Sequence, residues 1–118
     1  MKVAGKEMGE RPLILAPMED VTNPPFRKFC KKYGADWLYS EFVSADALVR
    51  SVNKSLKKLT IDECERPVTI QIYGRYVDSM VEAARIVEQV QPDFIDINFG
   101  CPVKRVAQKG AGAGLLRD

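Results

Sequence analysis

The stretch DFIDINFGCPVKRVAQKGAGAGLL, residues 93–116, decides the fold class of this 118-residue chain. It opens as a strand in which Ile95 and Ile97 share one face and Asp96 and Asn98 share the other. A Gly-Cys-Pro sequence ends the strand, and a basic, glycine-rich segment follows. The apolar face suits packing beneath helices, and the polar face suits the neighbourhood of a ligand. The stretch therefore predicts one strand of a sheet that is covered on one side and carries a site on the other.

Strand patterns alternate with helix patterns along the chain. Apolar segments predict strands at residues 13–18, 36–42, 68–74 and 93–100. Helices are predicted in the capped, proline-initiated segment 21–34 and, as a short helix or turn, at 44–52. A further helix is predicted from an apolar stripe formed by Val77, Met80, Val81, Ala84, Val87 and Val90. This alternation predicts an α/β fold with a parallel sheet and right-handed crossovers.

The polar strand face distinguishes between the two common parallel architectures. Gln71 interrupts the apolar residues of its strand as Asp96 and Asn98 interrupt theirs. An open doubly wound sheet buries both faces under helices, whereas the inside of a barrel accepts amides and carboxylates near its mouth. We therefore predict about four β/α units of a (β/α)8 TIM barrel. Chemistry in such barrels lies at the C-terminal strand ends, where the sequence places Met18, Glu41, Gln71 and Cys101.

Composition excludes several classes of function. The net charge of +2 is too small to indicate nucleic-acid binding by itself. The sequence has no histidine, which removes Ser-His-Asp and Cys-His catalysis and histidine-bound metals from this chain. The three cysteines are widely separated, so neither a disulfide framework nor a metal site is expected. No apolar run suits a membrane span and no secretory leader is evident, so we expect a cytoplasmic protein.

The residues at the strand ends leave alternatives open. Cys101 is either a proton donor at the site opening or a small apolar filler. Gln71 and Asn98 either meet the edge of a flavin or pyrimidine or form a structural hydrogen bond. Glu41 is either the buried partner of a cation or an exposed charge.

The basic, glycine-rich segment is also ambiguous on sequence alone. Gly110, Gly112 and Gly114 either bring backbone N–H groups close to an anion or form a flexible loop. The neighbouring cations either meet phosphates or form a solvated basic loop; they are Lys104, Arg105 and Lys109.

Four segments of the chain resemble the bacterial tRNA-dihydrouridine synthases, most closely their B-type branch. They are LAPMEDVTNPPFR, SEFVSA, QIYG and DINFGCPVKRVAQKGAGAGLLRD, so the resemblance extends from about Leu13 to Asp118. The sequence NFGCPVK with its GAGAGLL continuation is the most specific part. The resemblance implies an FMN-binding (β/α)8 barrel whose flavin is reduced by NADPH, with a C-terminal helical domain that grips tRNA.

The resemblance also implies a reaction and a role for particular residues. The reduced flavin passes a hydride to C6 of a uridine in tRNA, and a cysteine, here Cys101, protonates C5. The implied flavin contacts are Pro17, Met18, Glu19, Gln71 and Asn98. The implied RNA contacts in the loop after Cys101 are Lys104, Arg105 and Lys109.

A complete barrel of this kind needs about 250 residues. We therefore expect residues 1–118 to form a truncated catalytic domain, the N-terminal half of a barrel, without the later strands or the tRNA-binding domain. We expect this chain to be inactive alone and to self-associate through its open sheet edges. Two alternatives stay open: another FMN-dependent barrel, such as a dihydroorotate dehydrogenase, and a catalytically inactive, self-associating half-barrel. The sequence does not indicate which tRNA uridine is modified.

Overall fold

A computed structural model describes residues 1–117 of the chain; Asp118, the last residue of the family-like segment DINFGCPVKRVAQKGAGAGLLRD, lies outside them. The strands are β1 Lys2–Val3, β2 Lys6–Glu7, β3 Ile14–Leu15, β4 Trp37–Tyr39, β5 Val43–Ser44, β6 Val68–Tyr73 and β7 Phe94–Ile97. The α-helices are α1 Pro24–Lys32, α2 Ala45–Val49, α3 Asn53–Lys57, α4 Val77–Glu88 and α5 Lys104–Ala107. Short 3₁₀ helices occupy Glu63–Glu65 and Gly112–Arg117.

The main sheet is parallel and follows the order of the chain. β3 pairs with β4, β4 and β5 both pair with β6, and β7 pairs with the other edge of β6. Helices connect successive parallel strands, as right-handed β/α units require. The predicted α/β fold with a parallel sheet of β/α units is confirmed. Within residues 1–117, no helix is both long and apolar enough to cross a membrane.

The second predicted strand is interrupted by a bulge. Leu38 pairs with Val68 and Val43 pairs with Ile72. Between these two pairs, the segment therefore has one residue more than β6 has opposite it. The prediction of one continuous strand over 36–42 is therefore wrong, because the extra residue breaks the ladder after Tyr39. The bulge gives the sheet a buried polar corner, since Ser40 and Glu41 are both buried there. The remaining residues of the bulged strand continue the sheet as β5.

The hydrophobic core lies between the sheet and α2 and α4. Ile70 and Ile72 of β6 are fully buried against the helical layer, as the alternating pattern predicts. On α4, Ala83 and Val87 are fully buried, and Met80, Ala84 and Val90 of the predicted stripe pack against the core, so most of that stripe is confirmed. Val77 and Val81, also predicted to belong to it, are 75% and 46% exposed. The apolar packing predicted for Ile95 and Ile97 is not seen either: together with α4 they line an open groove of about 430 Å³.

Two charged clusters tie the segments around the sheet together. Asp93 accepts hydrogen bonds from Lys6, from the backbone N–H of Val68 and from Arg66. Burial alone would raise the pKa of Asp93, but these three donors outweigh burial and hold the pKa below its ordinary value. Because Lys6 belongs to the β1–β2 hairpin, the ion pair also ties the first residues of the chain to the sheet.

The second cluster joins α1 to the 3₁₀ helix before β6. Arg27 Nε donates to Glu65 Oε1 over 2.8 Å, and both side chains are at most 1% exposed. The same guanidinium donates to the carbonyl oxygens of Thr22 and Thr60, each over 2.8 Å. The buried charges are thus paired and hydrogen-bonded, as burial of a charge requires.

Candidate active site

The turn after β3 is rigid because a buried threonine closes it. The backbone N–H of Met18 donates to Thr22 Oγ1, and that hydroxyl donates back to the carbonyl of Met18 over 3.0 Å. Asn23 then caps α1 by accepting from the N–H of Phe26. The turn holds Pro17 half-buried and Met18 37% exposed at the C-terminal end of β3, where the sequence places both.

Glu41 joins this turn to the bulge of the second strand. Its Oε1 accepts from the backbone N–H of Asp20 over 2.6 Å. Lys58 Nζ lies 2.8 Å from Glu19 Oε1 and 3.8 Å from Glu41 Oε1. Glu41 is therefore the buried partner of a cation, one of the two alternatives that the sequence left open.

The carboxylates of Glu19, Asp20 and Glu41 come within 4.8 Å of one another. An ammonium group, that of Lys58, already lies among them. The second oxygen of Glu19, Oε2, is buried and finds no hydrogen-bond partner within residues 1–117. The expectation that the chain binds no metal stays a prediction.

Two amides form the centre of the site on the inner face of β6 and β7. Asn98 Nδ2 donates to Gln71 Oε1 over 2.9 Å, and Gln71 Nε2 donates to Asp96 Oδ2 over 2.6 Å. Each amide nitrogen carries two hydrogens. Each therefore keeps one N–H beyond these bonds, and a ligand at this face would meet a pair of neighbouring donors.

Below the amides, the inner face is aromatic. The ring centroids of Trp37 and Phe94 are 4.7 Å apart, and those of Trp37 and Tyr39 are 5.7 Å apart. Burial raises the pKa of Tyr39 above its ordinary value, and the nearby Asp96 carboxylate raises it further. The hydrogen bond with Thr69 lowers the pKa, but by less than the other two effects raise it. The tyrosine is therefore neutral at physiological pH. The rings give the polar site an apolar floor.

Asn98 also fixes the loop that carries the cysteine. Its Oδ1 accepts from the backbone N–H groups of Gly100 and Cys101, over 3.1 and 2.9 Å. Cys101 is half-buried directly after this turn. The Asn98 side chain thus binds the cysteine loop through Oδ1 and the Gln71 side chain through Nδ2.

The glycine-rich segment packs against the cysteine instead of forming an open anion cradle. The N–H of Ala113 donates to the carbonyl of Cys101, and the N–H of Gly114 donates to Ala111. A Cβ at Gly112, where φ is +54°, would lie 2.9 Å from the Cys101 carbonyl oxygen. A Cβ at Gly114 would lie 2.3 Å from the carbonyl oxygen of Ala107. These glycines therefore permit close backbone packing, a third possibility beyond the two taken from the sequence.

Hydrogen bonds between successive residues, some from side chains and some from the backbone, join the strand ends. They run from the turn after β3, through the bulge, to the amide pair and the cysteine loop. The residues in order are Asp20, Glu41, Ser40, Gln71, Asn98 and Cys101. The structure thus brings the candidate flavin contacts and the candidate acid to one edge of the sheet.

The three cations of the cysteine loop do not act as one group. Arg105 and Lys109 line two cavities beside β5 and β6, of about 350 and 550 Å³. Lys104 lines a different cavity with Pro102 and Arg117, because neighbouring residues of a helix point in different directions. The structure therefore separates Lys104 from the other two.

Sequence reasoning missed further cations around the same two cavities. They are Arg50, Lys54, Lys58 and Arg75. The sequence could have indicated three of them, because Arg50, Lys54 and Lys58 are spaced four residues apart in a segment with helical character and so share one helix face. The fourth, Arg75, lies two residues after the end of β6, where barrels carry functional side chains.

Comparison with known proteins gives one consistent result. Residues 14–118 match the family model described as "Dihydrouridine synthase (Dus)". The chain is 42% identical, over 90% of its length, to tRNA-dihydrouridine synthase B of Pseudomonas aeruginosa. It is 38% identical over 89% of its length to a probable tRNA-dihydrouridine synthase of Aquifex aeolicus, and 36% identical over its whole length to one of Rickettsia prowazekii. The aligned part is 32%, 33% and 36% of these relatives, so the chain spans about a third of their length.

Proposed function

The chain belongs to the dihydrouridine synthase family, as its sequence motifs indicated, and on that basis we propose that it contributes to an enzyme that reduces the C5–C6 bond of uridine in tRNA. The family fold is a TIM barrel, and the parallel β/α units of this chain are its N-terminal part. We propose FMN as the cofactor, NADPH as the reductant and the cytoplasm as the place of the reaction. The contact of Asn98 with both the cysteine loop and Gln71 is the observation that carries the proposal.

The amide pair fits one edge of a flavin or a uracil. Both have ring edges on which carbonyl oxygens alternate with ring nitrogens, and such edges accept hydrogen bonds from amide N–H groups. Gln71 and Asn98 each keep one such N–H, and the turn with Pro17 and Met18 lies at the same edge of the sheet. We propose that these residues, with Glu19, contact the flavin. FMN, when bound, would supply the hydride that adds to C6 of the uracil.

Cys101 is proposed as the acid that completes the reduction. Hydride addition at C6 leaves negative charge on the base, and C5 must then receive a proton. A thiol carries a hydrogen that it can transfer to a carbon as a general acid. Asn98 positions the thiol by binding the backbone N–H of Cys101, and the packed glycines keep the loop closed behind it.

The target base must leave the tRNA structure to enter the barrel mouth, as base-modifying enzymes require. We propose that the exposed cations after Cys101 meet the RNA backbone there. Arg105 and Lys109 lie beside the site, while Lys104 would meet a different part of the RNA.

The reaction is tested with tRNA from a bacterium that lacks dihydrouridine. A complete enzyme that contains this chain is incubated with this tRNA, FMN and NADPH, and dihydrouridine is measured by mass spectrometry of the digested RNA. We expect dihydrouridine to form only when all three are present. Oxidation of free dihydroorotate, or reduction of free orotate, instead of reduction of tRNA would favour the dihydroorotate dehydrogenase alternative.

The open sheet edges support a proposal about the isolated chain. Within residues 1–117, β3 and β7 each pair on one side only. We propose that the purified 118-residue chain is inactive alone and associates with a second copy through these edges. Light scattering should detect a dimer or larger species, and a folded monomer at high concentration would contradict this. An FMN titration of the same sample would show whether the partial site already binds flavin.

A further inference from the structure

We propose that Lys58 is a positioning residue for the turn after β3 and that it sets the charge next to the proposed flavin contacts. The inference rests on the proposed function and deepens it with a residue to which neither the sequence motifs nor the reaction gives a role. Lys58 follows α3 directly and lies outside the four family-like segments of the sequence. Its side chain is only 14% exposed, and lysine side chains are seldom buried unless they are paired.

The ammonium group of Lys58 joins the ends of two strands. Its Nζ donates to Glu19 Oε1 over 2.8 Å and lies 3.8 Å from Glu41 Oε1. Glu19 belongs to the turn after β3, and Glu41 belongs to the bulge between β4 and β5. The two carboxylate side chains are 27% and 11% exposed. Solvent therefore screens these ion pairs less than it screens a pair on the open surface.

The turn after β3 is thus held against the sheet from outside. Glu41 Oε1 accepts from the backbone N–H of Asp20, and Lys58 binds Glu19 in the same turn. Without the Lys58 cation, the carboxylates of Glu19 and Glu41 would face each other unpaired and repel. That repulsion would move Glu19, and the turn that carries it, away from the bulge. The proposed flavin contacts of the turn would move with it.

Negative charge is concentrated at this point of the site. The carboxylates of Glu19, Asp20 and Glu41 lie within 4.8 Å of one another, and Glu19 Oε2 is buried without a hydrogen-bond partner within residues 1–117. In the part of the chain that the structure describes, Lys58 is the cation paired with them. A cation beside the turn favours the more negative, reduced form of a bound flavin, and the carboxylates disfavour it.

The positioning role and the charge role predict different measurements. If Lys58 only tied the turn, its loss would weaken the binding of oxidised and reduced flavin equally and leave the midpoint potential unchanged. If Lys58 also sets the charge, its loss weakens binding of the reduced form more, and the potential falls. Neutralising Glu41 acts in the opposite direction, because it removes a negative charge from the same cluster.

The test uses variants of a complete enzyme that contains this chain. Lys58→Met removes the cation, Lys58→Arg keeps a cation, and Glu41→Gln removes a negative charge but keeps an oxygen that can accept from the N–H of Asp20. The double variant Lys58→Met/Glu41→Gln removes one charge of each sign. Lys57→Met is the matched control, because Lys57 is exposed and forms no ion pair within residues 1–117.

The measurements are the Kd of oxidised FMN by fluorescence titration, the midpoint potential of the bound flavin, and dihydrouridine formation from tRNA. Lys58→Met should raise the Kd of FMN roughly tenfold, the effect of losing about one charge-assisted hydrogen bond. Lys58→Arg should stay within about threefold, because it keeps the charge. The potential should fall by about 30 mV in Lys58→Met and rise by about as much in Glu41→Gln, since a tenfold change in the ratio of affinities for the two flavin forms is about 30 mV for two electrons. The double variant should have the potential of the unmodified enzyme.

Several results would contradict the proposal. A Kd and a potential in Lys58→Met equal to those of Lys57→Met would overturn it. Potential shifts of the same sign in Lys58→Met and Glu41→Gln would also overturn it. A raised Kd with an unchanged potential would support the positioning role and reject the charge role.

Urea unfolding shows which variants fold. If Lys58→Met does not fold, the potentials of Glu41→Gln and of the double variant still decide the charge role, and the Kd of Lys58→Arg decides the positioning role. If the unmodified enzyme binds FMN but forms no dihydrouridine, the proposed function is rejected, while the flavin measurements still decide the role of Lys58. If the unmodified enzyme binds no FMN, both the cofactor and the role of Lys58 are rejected.

Discussion

Asn98→Ala tests how the cysteine is positioned. The substitution removes three hydrogen bonds at once: two from backbone N–H groups to Oδ1, including that of Cys101, and one from Nδ2 to Gln71. The loop beyond Asn98 would keep its glycine packing, because the N–H of Ala113 still donates to the Cys101 carbonyl. The thiol should therefore remain near the site but lose its fixed orientation.

The size of the effect follows from the bonds removed. A hydrogen bond of this kind contributes about 0.5–1.5 kcal/mol net, so three half-exposed bonds amount to about 2–3 kcal/mol. If that free energy is lost from the positioned state of the loop, the rate of uridine reduction should fall roughly 30- to 150-fold. The loss should appear in kcat at saturating FMN, since the cations that we propose to meet the RNA backbone are untouched.

The assay is steady-state dihydrouridine formation by a complete enzyme that contains the chain, together with urea unfolding to show that the variant folds. Asn98→Asp is the informative companion, because a carboxylate still accepts from both N–H groups but cannot donate to Gln71. It should lose less activity than Asn98→Ala. Asn53→Ala, an exposed asparagine at the start of α3, is the matched control and should stay within about twofold of the unmodified protein. If Asn98→Ala is as active as that control, the positioning argument is wrong.

Three further predictions concern the scaffold. Arg27→Met should cost about 3–5 kcal/mol in urea unfolding, because it leaves the Glu65 carboxylate buried and unpaired; a loss below about 1 kcal/mol would contradict the buried pair. Asp93 has a folded-state pKa below its unfolded value, so the stability it contributes is complete above about pH 4 and is lost as pH falls through the folded pKa. The stability gap between the protein and Asp93→Asn should therefore shrink in acid unfolding below about pH 4, and a constant gap would disprove the linkage. Gly114→Ala should destabilise the protein by about 1–3 kcal/mol, since its Cβ would overlap the Ala107 carbonyl oxygen; an unchanged thermal midpoint would show that the loop can move away.

Strand and helix patterns predicted the fold because their periodicity is local. Gln71, Asp96 and Asn98 alternate with isoleucines, and this alternation by itself placed the three polar side chains on one face. The hydrogen bonds between them confirm that arrangement. The candidate site could be located from sequence for the same reason.

Features that depend on a distant partner were not predictable from the chain pattern. The bulge at Ser40 arises from the register with β6, which the segment itself does not specify. The buried pair of Arg27 and Glu65 joins residues 38 positions apart. The sequence pattern places Arg27 among the polar residues of an amphipathic helix, and only the structure shows that its side chain is buried.

The apolar face of α4 was predicted in most of its residues. Val87 lies in the core, and Met80, Ala84 and Val90 pack against it. The predicted stripe is broad, and a helix buries only the part that faces the sheet. Val77, the first residue of the helix, is therefore exposed although it belongs to the pattern.

The most direct test of the account is a single-turnover experiment on Cys101→Ala. A complete enzyme that contains the chain with this substitution is loaded with FMN, the flavin is reduced with NADPH and followed by absorbance, and tRNA lacking dihydrouridine is then added. If Cys101 is the acid that protonates C5, the flavin should be reduced by NADPH at the unmodified rate, and dihydrouridine should fail to form. A normal yield of dihydrouridine from this variant would contradict the central assignment.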